Sequence, residues 1–200
     1  MEAPVAGILL AAGAGRRLGQ PKALVDIGGQ PLVTRGIALL REGGAAPVIV
    51  VTGATAVDLT GVITVHNPRW ETGMGSSLAA GLATAPDGCA AVVVALVDQP
   101  LVGATAVRRL IAAFHAGASV AVAAYDGQPR NPVLLAREHW AEVTALAAGD
   151  AGAREFLRAH PELVTVVECG DTGRPDDIDT SEDLTRITGL LNEPPLSSRP

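Results

Sequence analysis

Residues 7–22 read Gly-Ile-Leu-Leu-Ala-Ala-Gly-Ala-Gly-Arg-Arg-Leu-Gly-Gln-Pro-Lys, an apolar run that turns glycine-rich and then delivers Arg16, Arg17 and Lys22 within seven residues. A buried strand that ends in small residues lets main-chain N–H groups come close to a ligand, because a Cβ at each position would hold the ligand away. The three cations follow where a polyphosphate would need them. The stretch therefore implies a nucleoside triphosphate site at the end of a first strand, and an α/β fold to carry it.

The rest of the composition sets bounds on that reading. The chain has 200 residues, enough for one domain with a real core. Nearly half are apolar, but only two Trp, one Tyr and two Phe are present, so the core must be aliphatic. A net charge of −6 gives no global attraction to nucleic acid, so any electropositive site has to be local. Met1–Pro4 shows no basic segment leading into an apolar one. The longest apolar run, Cys89–Val97, is far short of the roughly 20 residues that cross a bilayer as a helix. The expectation is a cytoplasmic protein that engages neither membrane nor nucleic acid. Cys89 and Cys169 form no CxxC pair and read as ordinary thiols; His66, His115, His139 and His160 share no metal spacing.

Working outward, Val5–Leu10 reads as the first strand, and Ala23–Ile27 as a short apolar segment closed by Gly28-Gly29. Pro31 opens a helix that runs to Glu42, where Gly43-Gly44 stops it. Strands follow at Pro47–Thr52 and Gly61–His66. A helix from Ser76 to Thr84 is entered through Gly73–Ser77. Ala90–Val97 is continuously apolar, as a strand covered on both faces would be, and runs into Asp98-Gln99-Pro100. A helix spans Thr105–His115, a strand Ser119–Ala124, a loop Gln128–Pro132 and a short strand Val133–Leu135. Helices at Glu138–Ala147 and Ala153–Ala159, a strand at Leu163–Glu168 and a helix from Ser181 to Leu191 complete the series. This alternation predicts a three-layer α/β domain with a mostly parallel central sheet, over residues 1–191, with 192–200 as a disordered tail.

Two common phosphate loops fail the spacing test. Gly13-Ala14-Gly15-Arg16-Arg17-Leu18 lacks the third glycine of a dinucleotide fingerprint, and Gly19-Gln20-Pro21-Lys22-Ala23 lacks the Lys-Ser/Thr of a P-loop. The segment Leu10–Gly19 with Pro21-Lys22 instead resembles the signature of the MobA-like nucleotidyltransferases, which have a GT-A-like fold, and within them the molybdenum cofactor cytidylyltransferases. Four further segments are similar in the same order: Gly73–Leu82, Ala95–Pro100, Gly149–Arg154 and Asp177–Asp183.

The resemblance implies transfer of a nucleoside monophosphate with loss of pyrophosphate, catalysis being positioning and charge neutralisation. Leu10, Ala11, Ala12, Gly13 and Gly15 would hold the nucleotide, and Arg16 and Lys22 would neutralise its phosphates. Arg17 is expected to point elsewhere. Gly75, Ser76 and Ser77 would meet the nucleoside, although either serine is equally suited to cap the helix. Asp98 would hold Mg2+, since a lone Asp behind nine apolar residues needs a partner, and a strand's carboxyl end is where open α/β sheets bind ligands. Asp179 is the candidate second metal carboxylate by resemblance, with a place at a helix N-terminus as the alternative. Asp177 and Asp183 read as structural, the latter through the capping box Thr180-x-x-Asp183.

Two residues depart from the cytidylyltransferase pattern: Gln99 stands where Met is common, and Asn131 where His precedes the proline. Ala12 leans toward CTP over GTP. The expected activity is CMP transfer from CTP to the terminal phosphate of molybdopterin, with a molybdenum hydroxylase as recipient of the product. A different phosphorylated acceptor, or a non-catalytic maturation factor, are the alternatives.

Overall fold

The structure, a computed structural model, describes residues 2–147 and 149–192; the expected tail lies outside them apart from Asn192. Strand β1 (Val5–Leu10) ends in the glycine loop. The chain then forms a short 3-10 turn (Lys22–Leu24) and a small hairpin of β2 (Asp26–Ile27) and β3 (Gln30–Pro31), which closes over Gly28-Gly29. Helix α1 (Leu32–Glu42), strands β4 (Val48–Thr52) and β5 (Ile63–His66), helix α2 (Met74–Thr84), strand β6 (Ala91–Leu96) and helix α3 (Ala104–His115) follow. The later half holds β7 (Val120–Tyr125), β8 (Gln128–Ala136), α4 (Trp140–Leu146), α5 (Arg154–Ala159), β9 (Val164–Glu168) and α6 (Ser181–Asn192).

Among the described residues, seven strands form one sheet in the order β5-β4-β1-β6-β8-β7-β9, parallel except where β8 pairs antiparallel with β6 and β7. This is the α/β, mostly parallel architecture that the alternation of elements predicts. The apolar alternation explains the three layers. In β1, Ala6, Ile8 and Leu10 face Leu78 and Leu82 of α2, together with Trp140, Val143 and Phe156 of the later helices. Val5 and Leu9 face the other way, into a cluster with Leu32, Val33, Ile37 and Leu40 of α1, Val107 and Leu110 of α3, and Ile187 of α6. Strands β1, β6 and β7 are covered on both faces, so their positions are apolar throughout and each run looks continuous in sequence. With so few aromatics, branched aliphatics interdigitate instead. Truncating a fully buried one such as Leu9 or Ile49 would cost about 2–5 kcal/mol.

Topology places the site. The chain leaves β1 for β4 and β5 on one side, then returns to pair β6 along β1's other side. Neighbouring strands that depart in opposite directions leave a crevice at their carboxyl ends, where open α/β sheets bind ligands. The glycine loop leaves β1 at that crevice, and Asp98 leaves β6 there.

One segment differs from expectation. Gln128–Pro132, read as loop, is the first half of β8, a nine-residue strand. Two prolines and polar residues hide it in sequence. The pairing with β7 carries an irregularity between Val122 and Ala124 that accommodates them. Because β8 is antiparallel to β6, its first half, with Arg130 and Asn131, lies toward the carboxyl end of β6, on the side of Asp98.

Candidate active site

The glycine loop is shaped by two different demands. Gly15 has φ +59°, and a Cβ there would lie 2.0 Å from the carbonyl oxygen of Gln20, so the fold itself requires glycine. Gly13 is different: the nearest atom to a Cβ would be Lys22 Cδ, 3.9 Å away. The protein itself leaves room for a side chain at Gly13, which opens onto the cleft. The amide of Ala11 donates to Val51 and is therefore spent on the sheet. Among the described residues, the amides of Ala12 to Arg16 donate to no protein acceptor. Lys22 is held under this loop by its own amide, which donates to the Gly13 carbonyl at 3.3 Å.

The lysine ammonium then reaches two carboxylates. Nζ lies 2.5 Å from Asp98 Oδ2 and 2.7 Å from Asp179 Oδ1. The side chains of Lys22 and Asp98 are only 17% and 18% exposed, so this contact is substantially shielded from water. Burial disfavours the ammonium, but Asp98 and Asp179 outweigh that and hold the Lys22 pKa above its ordinary value. The lone Asp at the end of β6 thus has a partner, and that partner is Lys22.

Asp179 is delivered by the segment before α6. The Ile178 amide donates to the Asp98 carbonyl at 2.9 Å, so residues 178–179 run beside the end of β6. Gln99, 6% exposed, donates from Nε2 to Asp177 at 2.8 Å and to the Pro175 carbonyl at 3.3 Å. Burial raises the Asp177 carboxyl pKa; the Gln99 bond opposes this, and neighbouring Asp98 and Asp179 add to the rise. The expected capping box forms: the Thr180 hydroxyl accepts from the Asp183 amide at 3.2 Å, and Asp183 accepts from the Thr180 amide at 3.0 Å. Asp183 also accepts from the Asp179 amide at 3.2 Å, which fixes the backbone that presents the Asp179 carboxylate.

Of the two arginines, Arg17 differs from expectation. Arg16 is 81% exposed and lies 3.8 Å from Glu71, a pairing too solvated to fix it. Arg17, expected to point away, approaches Asp179 at 3.6 Å. Both line the cleft.

The segment that carries Ser76 and Ser77 is organised by Asn67. Asn67, 3% exposed, donates from Nδ2 to the hydroxyls of Ser76 at 2.8 Å and Ser77 at 3.0 Å. In sequence, Asn67-Pro68 reads only as a turn signal. Neither serine caps α2, which starts at Met74 with Gly73 as its cap. The Ser76 hydroxyl sits 2.9 Å from the Gly73 carbonyl and 3.0 Å from that of Arg69. Gly73, at φ +111°, packs so closely on Gly149 that a Cβ would come within 2.3 Å of its backbone. That contact seats the Gly149–Ala151 turn against the start of α2 and brings Asp150 to the cleft.

The resulting cleft has a volume of about 510 Å³. Of the residues singled out from sequence, Leu10, Ala12, Gly13, Gly15, Arg16, Lys22, Ser77, Asp98 and Asp179 line it. Ala11, Gly75 and Ser76 stand behind the lining. Trp70, Glu71, Met74 and Asp150 line it without having been singled out as ligand residues. Met74 and Asp150 lie inside the Gly73–Leu82 and Gly149–Arg154 segments, whereas Trp70 and Glu71 only stand close to the first of them.

Among the described residues no cluster of three or more His, Cys, Asp or Glu side chains is arranged to hold a metal, so any ion would rest on Asp98 and Asp179 with ligand oxygens. Two hard carboxylate oxygens that already share one cation suit Mg2+, which is commonly held by one or two carboxylates plus phosphate oxygens.

Fold and cleft together define an α/β protein with a glycine-lined, charged cleft at the carboxyl end of its sheet, and comparison with known proteins specifies the family. The chain belongs to the MobA-like NTP transferase family, whose domain matches residues 7–164. It is 39% identical over 197 residues to nicotine blue oxidoreductase of Paenarthrobacter nicotinovorans, covering 92% of this chain and 96% of that one. It is 37% identical over 112 residues to the molybdenum cofactor guanylyltransferase of Xanthomonas euvesicatoria, covering 56% of each. Among solved structures, the Mycobacterium tuberculosis Rv0371c homologue from Mycobacterium sp. strain JC1 superposes with a TM-score of 0.82 at 28% identity, over 96% of this chain and 98% of that one. Rv0371c of M. tuberculosis H37Rv in complex with manganese gives 0.72 at 26% identity, over 93% and 98%. The chain is a nucleotidyltransferase of this family. No helix among its described residues is long and apolar enough to cross a membrane.

Proposed function

We propose that the protein transfers CMP from CTP to the terminal phosphate of a molybdopterin-type acceptor and releases pyrophosphate. The observation that carries this reading is the Lys22 ammonium bridging Asp98 and Asp179 beneath a loop with unspent amides. The triphosphate would lie along Gly13–Arg16, with Lys22, Arg16 and Arg17 offsetting its charge and Ser77 meeting the nucleoside. An acceptor phosphate oxygen attacks the α-phosphorus, the α–β bridging P–O bond breaks, and pyrophosphate leaves with the electron pair. Asp98 and Asp179 would hold Mg2+, which supplies charge neutralisation at the transferring phosphate.

A phosphate nucleophile also suits the lining. Phosphate monoesters are largely dianionic at neutral pH, with a second pKa near 6, so no proton need be removed before attack. Among the described lining residues there is no histidine to act as a base, and a dianionic phosphate nucleophile needs none. The acceptor would approach from the β8 side, where Arg130 and Asn131 stand. Ala12 supports CTP over GTP, whereas the name of the Xanthomonas relative favours GTP. A molybdenum hydroxylase would take the nucleotide-bearing product.

A pyrophosphate-release assay of the four NTPs against molybdenum-bearing molybdopterin tests the proposal. Release with CTP and Mg2+ supports it, and release with GTP alone moves the base assignment. Saturable nucleotide binding without pyrophosphate from any acceptor would favour a maturation factor. The Paenarthrobacter relative's name motivates a second reading, an oxidoreductase. A nicotinamide-dependent oxidoreductase would consume a reduced dinucleotide, yet the missing third glycine at Leu18 gives a dinucleotide no loop of the usual kind.

A further inference from the structure

The cation between Asp98 and Asp179 belongs to the protein itself. The space between Asp98 Oδ2 and Asp179 Oδ1 is where a divalent ion would bind, since such ions sit about 2.0–2.6 Å from carboxylate oxygens. The Lys22 ammonium fills it at 2.5 and 2.7 Å. Two like charges cannot share that space, so ion and ammonium exclude each other there. The same lysine also reaches the other half of the cleft: its stem passes Gly13, with Cδ the nearest atom to where a Cβ would stand. Rotation about the flexible four-carbon stem carries the ammonium from the carboxylates toward the free amides of the loop, where an anionic ligand would lie.

We infer that Lys22 is a resident stand-in cation that keeps divalent metal off Asp98 and Asp179 until a polyphosphate draws the ammonium to the glycine loop. Nucleotide and metal binding are then coupled through one side chain. Without nucleotide, a metal must displace a shielded ion pair. With nucleotide, the ammonium has a new anion and the carboxylates are released. This inference rests on the metal and phosphate assignments of the proposed function.

Mn2+ binding to the full chain, followed by electron paramagnetic resonance without any turnover, tests it. The comparison is wild type, Lys22→Met, Lys22→Gln and Asp98→Asn, each checked for folding by circular dichroism. Both Lys22 variants should bind Mn2+ alone roughly tenfold more tightly than wild type, within the 5–150-fold span usual for coupled sites. Addition of a non-hydrolysable CTP or GTP analogue should strengthen Mn2+ binding by a similar factor in wild type and far less in the variants. Either lysine variant, if folded, suffices. If neither binds Mn2+ alone more tightly than wild type, while Asp98→Asn still abolishes binding, the stand-in role is wrong and the metal assignment stands. If Asp98→Asn binds Mn2+ as wild type does, the carboxylate assignment fails and the stand-in role with it.

Discussion

The carbonyl of Asp98 accepts the amide of Ile178 at 2.9 Å, and this bond lets two carboxylates from distant parts of the chain share one lysine. It aligns the segment before α6 along the end of β6, so the next residue, Asp179, faces the crevice. The Gln99–Asp177 bond and the Thr180–Asp183 cap fix that segment on either side. The site is therefore built by backbone alignment first and by side chains second.

Gly13 and Gly15 should respond oppositely to the same change. Gly15→Ala places a Cβ against the Gln20 carbonyl at a positive φ, so it should destabilise by about 1–3 kcal/mol and disorder the loop. Gly13→Ala meets no protein atom closer than 3.9 Å, so its melting temperature should stay near wild type. Its nucleotide affinity should still fall roughly tenfold or more, because the Cβ occupies ligand space. Thermal melts and nucleotide titrations side by side check the pair; an unimpaired Gly13→Ala would remove the loop from the nucleotide site.

Asn67→Ala deletes a buried amide that serves both Ser76 and Ser77. Loss of those bonds should cost about 1–3 kcal/mol. In a chain of this size that lowers the melting temperature by roughly 2–4 °C for each kcal/mol. Nucleotide KM should rise more than kcat falls, since Ser77 loses its orientation while Lys22 and Asp98 keep theirs. Steady-state kinetics with melts would decide; an unchanged KM would show that Ser77 does not meet the nucleotide.

His160 gives the fold a pH dependence away from the cleft. Its Nε2 lies 2.8 Å from Glu142 on α4, and its Nδ1 lies 3.3 Å from Glu162. The Glu142 bond raises its pKa above the ordinary 6.5, against a smaller effect of burial and with further help from Glu162. A raised folded-state pKa means that this contribution is complete below pH 6.5 and is lost as pH climbs through the raised value. Wild type should thus lose melting temperature over that window relative to His160→Gln. Parallel pH-melt profiles would contradict the pairing.

The glycine loop and the end of β6 were legible because their cause is local. Close approach to a phosphate demands small residues, and a charge at the end of a buried strand has few explanations. The capping box at Thr180 and Asp183 is local too, and it forms. Asn67 was not legible: its amide acts on serines nine and ten residues later, and nothing in Asn67-Pro68 distinguishes a clamp from a turn. The Lys22 bridge joins residues 76 and 157 positions apart, which no spacing rule connects. Arg17 was misread because adjacent residues were assumed to diverge, whereas the turn after Gly15 leaves both arginines facing the cleft. Residues 128–132 were misread because prolines usually exclude a strand, and the irregularity in the β7–β8 pairing lets one continue.

The measurement that tests the central claim most directly is pyrophosphate release from CTP and molybdopterin in the presence of Mg2+, by wild type and Asp98→Ala at equal concentration. The account predicts steady release by wild type and a loss of about 10²–10³-fold in the variant with its fold intact, the scale on which removing one group that stabilises transition-state charge acts. Release by Asp98→Ala at the wild-type rate would contradict it.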